Sequence, residues 1–325
     1  MEAAGGRYLG ERIAALTERV CVIVNPASGR GRGARMLPAI RAAFAAEGVT
    51  AIVTTSEPRD ERRLAHEAIS SGFTTIVCVG GDGTAGNVAS AILHTGVDTR
   101  LGVIPAGTGN DCARTLGSAT TDVREMARRS TGPSATRMDV GRIEDNFFLN
   151  SCGFGFDVAV LQGLARTSWL GNNLVYIYSA LSGILGFRGV EMSVQSPATS
   201  RERELYLLVV IANGARFGGG FAIAPSASVT DGELDAVLIR DAAATRRLRM
   251  LAAAARGTHA RFGEVSLERA RRFTFGFGEN PFYESDGEVH QASRRELTVE
   301  CLPAALRVLT GDTFGPVAPV AASRS

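Results

Sequence analysis

Val79-Gly80-Gly81-Asp82-Gly83-Thr84 stands between two patterns of different period. Before it, Thr74 to Val79 is a β-branched apolar run of strand length; after it, Ala85 to Leu93 carries apolar residues at helical spacing. Gly80, Gly81 and Gly83 let the backbone turn sharply and approach a ligand, and the start of the helix offers unpaired N–H groups to phosphate oxygens. Asp82 stands where a metal or metal-bound water at those phosphates needs a carboxylate. Gly81 to Gly86 also fits the G-x-G-x-x-G dinucleotide pattern, and a glycine turn without a ligand is the plain alternative. The dinucleotide reading is weakened because the loop follows the third strand and no acidic residue ends a strand about 20 residues on. Arg100 stands in that region instead.

Working outward, Val20 to Val24 reads as a strand ended by Asn25-Pro26, Ala34 to Glu47 as a helix closed by Gly48, and Val49 to Thr54 as a second strand. Arg59 to Ser71 reads as a helix and Leu101 to Ile104 as a strand. This alternation predicts a mainly parallel sheet covered by helices, with ligand sites at the carboxyl ends of its strands. Two more loops leave strands on that edge. Asn25-Pro26-Ala27-Ser28-Gly29 precedes Arg30 and Arg32, which can neutralise phosphate; Ile104-Pro105-Ala106-Gly107-Thr108-Gly109-Asn110-Asp111 is the other. After Asp139 the pattern changes to short strands, at Asp139 to Ile143, Phe147 to Ser151, Val190 to Val194, Glu204 to Ala212, Leu234 to Ile239, Arg272 to Phe277 and Glu296 to Cys301. Helical segments interrupt them only at about Val158 to Leu185 and Ala242 to Gly257. That texture predicts an antiparallel sandwich or barrel-like second domain.

The 325 residues suffice for two cores, and a net charge of +2 with arginines not interleaved with aromatics gives no nucleic-acid signal. All 35 basic residues are arginine, which excludes lysine chemistry, including the G-x-x-x-x-G-K-[ST] phosphate loop and Schiff-base catalysis. The five cysteines are dispersed without a C-x-x-C pair, as expected in a reducing cytosol. Charges in the first 20 residues argue against a secretory signal, and polar residues between Ser168 and Phe187 argue against a spanning helix. The apolar Trp169 to Phe187, with Tyr176 and Tyr178, reads as a core helix or a surface that touches a bilayer or acyl chain. His66, His94, His259 and His290 lack metal-ligand spacing.

In this order, NPASG at 25–29, GGDGT at 80–84 and PAGTGND at 105–111 resemble the catalytic domain of the diacylglycerol kinase and sphingosine kinase family, related in fold to NAD kinase. NSCGFGFD at 150–157, FGGGFAIAPSASVTDGELD at 217–235 and DGE at 286–288 resemble its later blocks, so the resemblance runs from about Val20 to Leu309. It implies an NAD-kinase-like two-domain α/β fold: an N-terminal α/β nucleotide domain at 20–138 and a C-terminal β-sandwich domain at 139–300. A segment at 301–314 returns to the first domain, flanked by an extension at 1–19 and a disordered tail at 315–325. ATP would lie between the domains.

Carried across, Asn25, Pro26, Ala27, Ser28, Gly29, Thr54 (or Thr55), Gly80, Gly81, Asp82, Gly83, Thr84, Gly107, Thr108, Asn110 and Asp111 would contact ATP and its Mg2+. Ser228, Asp231 and Glu233 would ligate a structural Mg2+, although a plain Asp-Gly turn is the alternative there. Asp286 or Glu288 would be the general base, with Asp82 also catalytic. Asn280-Pro281-Phe282-Tyr283-Glu284 departs from the apolar approach usual before DGE, which leaves the acceptor open. The implied activity is ATP-dependent phosphorylation of a lipid alcohol, first diacylglycerol, with a sphingoid base, ceramide or a pathway-specific hydroxyl behind it. NAD kinase, a hydride-transferring dehydrogenase and a silent nucleotide-binding protein are the competing readings. The expected setting is cytoplasmic, with peripheral contact at the inner membrane face and no nucleic acid, and a homodimer is compatible.

Overall fold

The computed structural model describes residues 19–167, 186–216, 218, 221–254 and 256–314. The extension before residue 19, the apolar stretch from Trp169 except its last two residues, and the tail from Gly315 lie outside the described residues.

In the first part strands and helices alternate: β1 (Val20–Val24), α1 (Ser28–Ala46), β2 (Ile52–Thr54), α2 (Asp60–Ser70), β3 (Thr75–Gly80), α3 (Asp82–Thr95), β4 (Arg100–Pro105), α4 (Asp111–Thr115) and α5 (Val123–Thr131). The strands pair in parallel in the order β2-β1-β3-β4. β1 and β3 are buried along their whole length, as a sheet covered on both faces demands. Alternate side chains divide between the faces. Ile23, Cys78, Leu101 and Val103 pack with Ala65 and Ile69 of α2 and Val88 and Ile92 of α3. Val22, Val24, Val77 and Ile104 meet Ile40 and Phe44 of α1 and Met126 of α5. Each large side chain so buried contributes about 1.5–3 kcal/mol. Because the strands are parallel, the loops leaving their carboxyl ends share one edge.

The second part comprises β5 (Thr136–Ile143), β6 (Asn146–Phe148), β7 (Ser151–Gly155), α6 (Phe156–Thr167), β8 (Val190–Gln195), β9 (Ser200–Ala212), β10 (Leu234–Arg240), α7 (Ala244–Ala254), β11 (Val265–Ala270), β12 (Arg272–Phe277), β13 (Phe282–Ser285), β14 (Glu288–Gln291) and β15 (Glu296–Val308). Its strands pair antiparallel, with β9 between β7 and β8 and also joined to β10. Along β9, Tyr206, Val209 and Ile211 enter an aromatic core with Phe154, Phe273, Phe275 and Tyr283. Leu207, Val210 and Ala212 face the other way, onto Met250, Ala253 and Ala254 of α7.

β15 connects the two parts. Its first half pairs with β12 and β5; the register then shifts between Leu302 and Leu306, where Ala304 has a φ of 51°, and Arg307 and Val308 pair in parallel with Arg100 and Leu101 of β4. The strand expected to end at Cys301 thus runs on to Val308.

Other boundaries also move. α1 begins at Ser28 rather than Ala34, with Gly29, Arg30 and Gly31 in left-handed geometry inside it, and α3 begins at Asp82 rather than Ala85. The strand read over Phe147 to Ser151 is two, β6 and β7. The stretch before DGE, read as irregular, is strand β13, whose Tyr283, Glu284 and Ser285 are buried. Burial in a particular partner strand decides this, and local composition does not carry it.

Arg100 is fully buried and donates to Thr75 Oγ1 at 2.9 Å, Ser130 O at 2.8 Å and Gly132 O at 2.5 Å, tying β4 to the end of α5. Arg100→Met keeps the apolar stem but strands those carbonyls. It is expected to lower stability by about 2–4 kcal/mol, read as a lower urea midpoint at unchanged slope.

Candidate active site

The three glycine-bearing loops meet at the carboxyl edge of the parallel sheet. Asn25 organises the first: its Oδ1 accepts from Ala27 N at 3.0 Å, and its Nδ2 donates to Glu61 at 2.8 Å and Thr84 Oγ1 at 3.1 Å. Glu61 Oε1 also accepts from Thr84 Oγ1 at 3.2 Å, so NPASG and GGDGT are joined through a buried carboxylate on α2. Gly29, at a φ of 56°, lies so close to the third loop that a Cβ there would stand 2.1 Å from Ala106 O. Gly107 approaches the second loop as tightly, since its Cβ would be 2.4 Å from Gly81 Cα. Only glycine fits either position, and the close approach is what forms a cradle.

Within that cradle α3 starts at Asp82 after Gly81, and no side chain caps it, which leaves its first N–H groups directed at a ligand. Asn110 braces the third loop, accepting from Gly107 N at 2.9 Å and donating to Gly107 O at 2.8 Å. Asp82 Oδ1 accepts from Cys112 N at 2.9 Å, and Asp111 pairs with Arg114 at 2.7 Å. Burial, with the nearby Asp111 charge, holds the Asp82 carboxyl above the usual range. Thr54 and Thr108 are exposed beside these loops, and Thr55 is buried, its N–H bonded to Val24 O at 3.0 Å.

Opposite stands the β13–β14 turn. Asp286, at a φ of 46°, accepts from Leu149 N at 2.6 Å through Oδ2 and from Asn150 N at 2.9 Å and Ser151 N at 3.1 Å through Oδ1. A carboxylate offers about four lone-pair directions, so three amides leave one open. Oδ2 faces α3, 3.7 Å from where a Gly86 Cβ would be, and Glu288 Oε1 stands at the same distance from Gly83. Burial, aided by the Asp82 charge and opposed by the three amides, pushes the Asp286 carboxyl up to about 6. Asp286 thus lies within electrostatic reach of Asp82, and a small cavity of about 20 Å³ beside it is lined by Gly83 and Gly86 of α3, Asn87, Glu288 and His290 among others. A larger cavity of about 610 Å³ lies on β5, β12 and β15. It is an open groove whose Arg142 and Arg272 both pair with Glu300.

The Ser228–Glu233 loop is not part of the cleft wall. It is fixed by Gly232 N donating to Asp139 Oδ2 at 2.7 Å, and by Arg269, 3.7 Å from Asp231. Asn213 Nδ2 bonds both Asp139 O and Leu149 O, at 2.9 and 2.8 Å, and so links this loop to the backbone that holds Asp286. The donors are hard oxygens of the kind magnesium prefers. Among the described residues no three carboxylate, imidazole or thiol groups gather into a metal-binding set, so an ion here would need hydroxyl, carbonyl and water oxygens as well.

Sequence reasoning missed Arg59, Glu61, Asn87, Asp139 and Asn213. Arg59 reaches Glu288 at 3.2 Å and Arg62 Nε reaches Asn87 at 2.7 Å. None lies in a glycine loop, and an acidic or basic residue on an amphipathic helix reads as solvated surface; only the order of α2 against β1 and β3 turns Glu61 inward.

Comparison with known proteins bears on the two halves of the chain in turn. Residues 19–143 match the family model described as "Diacylglycerol kinase catalytic domain", and 150–310 match the "YegS C-terminal NAD kinase beta sandwich-like domain". The "Diacylglycerol kinase" of Mycobacterium tuberculosis is 28% identical over 297 residues, covering 90% of this chain and 94% of that one. A Pseudomonas aeruginosa protein named "Probable lipid kinase YegS-like" is 32% identical over 62% of this chain and 67% of its own length. A crystal structure of a diacylglycerol kinase from Bacillus anthracis str. Sterne superposes with a TM-score of 0.70 over 92% of this chain and 99% of that one, at 20% identity, which speaks for the fold alone. The chain therefore belongs to the diacylglycerol kinase catalytic-domain family and is a lipid kinase built from that domain and an NAD-kinase-like β-sandwich.

Proposed function

We propose that this lipid kinase transfers the γ-phosphoryl group of ATP, bound with Mg2+, to a hydroxyl of diacylglycerol, with Asp286 as the general base. The observation that carries the reading is the convergence of the uncapped α3 terminus and Asp286 Oδ2 on one cleft. The name of the M. tuberculosis relative supports diacylglycerol as the acceptor. The nucleotide is inferred to lie between a domain at 20–138 and one at 139–300, with 301–314 returning to the first, and the work to be done at the cytoplasmic face of a membrane. Among the described residues no helix is long and apolar enough to cross one.

MgATP supplies the phosphoryl group and a cation that neutralises its charge. The chain's own residues do the rest. The amides at the start of α3, with Asn25 to Gly29, Gly107, Thr108 and Asn110, would hold the phosphates and sugar on one side; Asp82, with Asp111 nearby, would hold the nucleotide's magnesium or its bound water. Asp286, kept rigid by three amides, takes the proton of the acceptor hydroxyl through its open Oδ2 direction as the new O–P bond forms and the bond from the γ-phosphorus to the β,γ-bridging oxygen breaks, with ADP as the leaving group. Glu288, engaged by Arg59, orients rather than abstracts. Ser228, Asp231 and Glu233 are the residues that would hold a second, structural magnesium.

Asp286→Asn is expected to lower kcat about 10²–10⁴-fold with little change in KM for ATP, whereas Glu288→Gln costs less than about tenfold. Formation of NADP from NAD, with no lipid phosphorylation detected across diacylglycerol, sphingoid base and ceramide, would replace the reading by an NAD kinase.

The base must be charged to act. With its carboxyl raised to about 6, kcat/KM should be level above pH 7 and fall about tenfold per unit below pH 6. The same shift has a stability signature. Raised above its ordinary value of 3.8, Asp286 favours the folded state fully below pH 4, and that contribution is lost as pH rises through 6.

Gly107→Ala forces the second and third loops apart and is expected to weaken ATP binding at least about tenfold by calorimetry, with the fold retained. Magnesium without nucleotide should raise the melting temperature of the native chain, and Asp231→Ala should abolish that rise.

A further inference from the structure

Two buried carboxyl groups next to the Asp286 turn have no role in the chemistry above. Glu284 lies on β13, directly opposite Gly153 of β7, and is 2% exposed. Its Oε1 accepts from Gly287 N at 2.6 Å and so closes the turn that carries Asp286; its Oε2 is buried without any hydrogen-bond partner. Asp157, in the first turn of α6, is 7% exposed. Its Oδ1 accepts from Val158 N at 2.8 Å, while its Oδ2 is likewise buried without a partner. That Oδ2 occupies the space over Gly153, where a Cβ would be 2.0 Å away, and hence lies against the residue that Glu284 faces. The missing side chain of Gly153 makes room for the meeting.

Two ionised carboxylates cannot stay side by side in such a place without a cation. Among the described residues none is supplied. The titratable groups on β7, β13, the turn and β14 are Cys152, Tyr283, Asp286, Glu288 and His290; His290 stacks on Tyr283, and burial keeps its imidazole neutral-leaning. β9, which packs on β7 and α6, adds Arg201, Glu202, Arg203, Glu204 and Tyr206, of which Arg201 is bonded to Glu268 and Arg203 to Phe277 O. No ion pair to Asp157 or Glu284 occurs among the described residues. One proton between the two orphaned oxygens removes the conflict, since a protonated carboxyl is a donor and its neighbour an acceptor.

We propose that Asp157 and Glu284 share one proton and that this acid pair is a positioning device for the turn bearing Asp286. The inference rests on Asp286 as the base. The bond between the pair fixes the Glu284 side chain, whose other oxygen holds Gly287 N, and the turn presents Asp286 to Leu149, Asn150 and Ser151. Burial pushes both carboxyls upward, Asp157 to about 7, and the Asp157 charge raises Glu284 further, in accord with this arrangement.

The test is infrared spectroscopy of the full chain at pH 8 beside steady-state kinetics. The wild type should show the carbonyl stretch of one protonated carboxylic acid, lost in both Glu284→Gln and Asp157→Asn, because either amide takes over the donor role. A band that persists in either variant overturns the shared proton. Glu284→Ala should lower kcat at least about tenfold with KM for ATP changed less than about threefold, and Glu284→Gln should recover kcat to within about fivefold of wild type. Equal damage from Gln and Ala overturns the pair, and undiminished kcat in Glu284→Ala overturns positioning. Should Glu284→Ala not fold, the double variant D157N/E284Q decides. It removes the pair's one net charge and should move the acidic limb of the pH–rate profile down by about half a unit or more; an unmoved limb sinks the proposal. The infrared band does not depend on which residue is the base, so a band that behaves as expected while Asp286→Asn stays active refutes only the assignment of Asp286.

Discussion

Three consecutive amides, from Leu149 to Ser151, converge on the carboxylate of Asp286, and most of the site follows from that contact. The donors belong to the link between β6 and β7, the acceptor to a hairpin more than 130 residues later. Because β13 pairs with β7 only at Gly153 and Cys152, the amides rather than a long ladder set how far the turn projects. Such charge-assisted bonds are shorter and stronger than neutral ones, and they hold a residue with positive φ in a geometry that it would leave if free. Their cost is electrostatic. They draw Asp286 toward ionisation while burial and Asp82 oppose it, and the balance leaves its carboxyl at about 6.

On the other side the cleft is made of backbone. With no lysine in the chain, the edge proposed to face phosphate offers helix-start amides and glycines that allow three loops to touch. Arginine enters at the margins: Arg59 bridges to Glu288, and Arg62 is held by Asn87. The two walls stay matched because β15 belongs to both sheets.

The parallel sheet, its helices and the loops at its carboxyl edge were legible because buried parallel strands are nearly pure apolar runs and their loops are punctuated by glycine. The later blocks were legible only through their order along the chain; DGE by itself is an ordinary turn. What could not be read were contacts made by tertiary pairing. Tyr283 and Glu284 look like polar, irregular chain, yet partner strands bury both. Asp139, Glu61 and Asn213 carry no motif and become structural only where distant elements cross. Helices α4 and α5 were missed because the first is five residues long and the second is dominated by charge.

The irregularity in β15 at Pro303 and Ala304 deserves a mechanical reading. A strand shared by two sheets is stiff along its ladder and compliant only where the ladder is interrupted. Rotation of one lobe against the other would be concentrated in those few residues. One carboxylate, Asp139, grips both that point, through Ala304 N at 2.7 Å, and the Ser228–Glu233 loop, through Gly232 N. The loop and the interrupted point of the strand that joins both lobes are therefore tied together by a single side chain, so a disturbance of either is felt at the other.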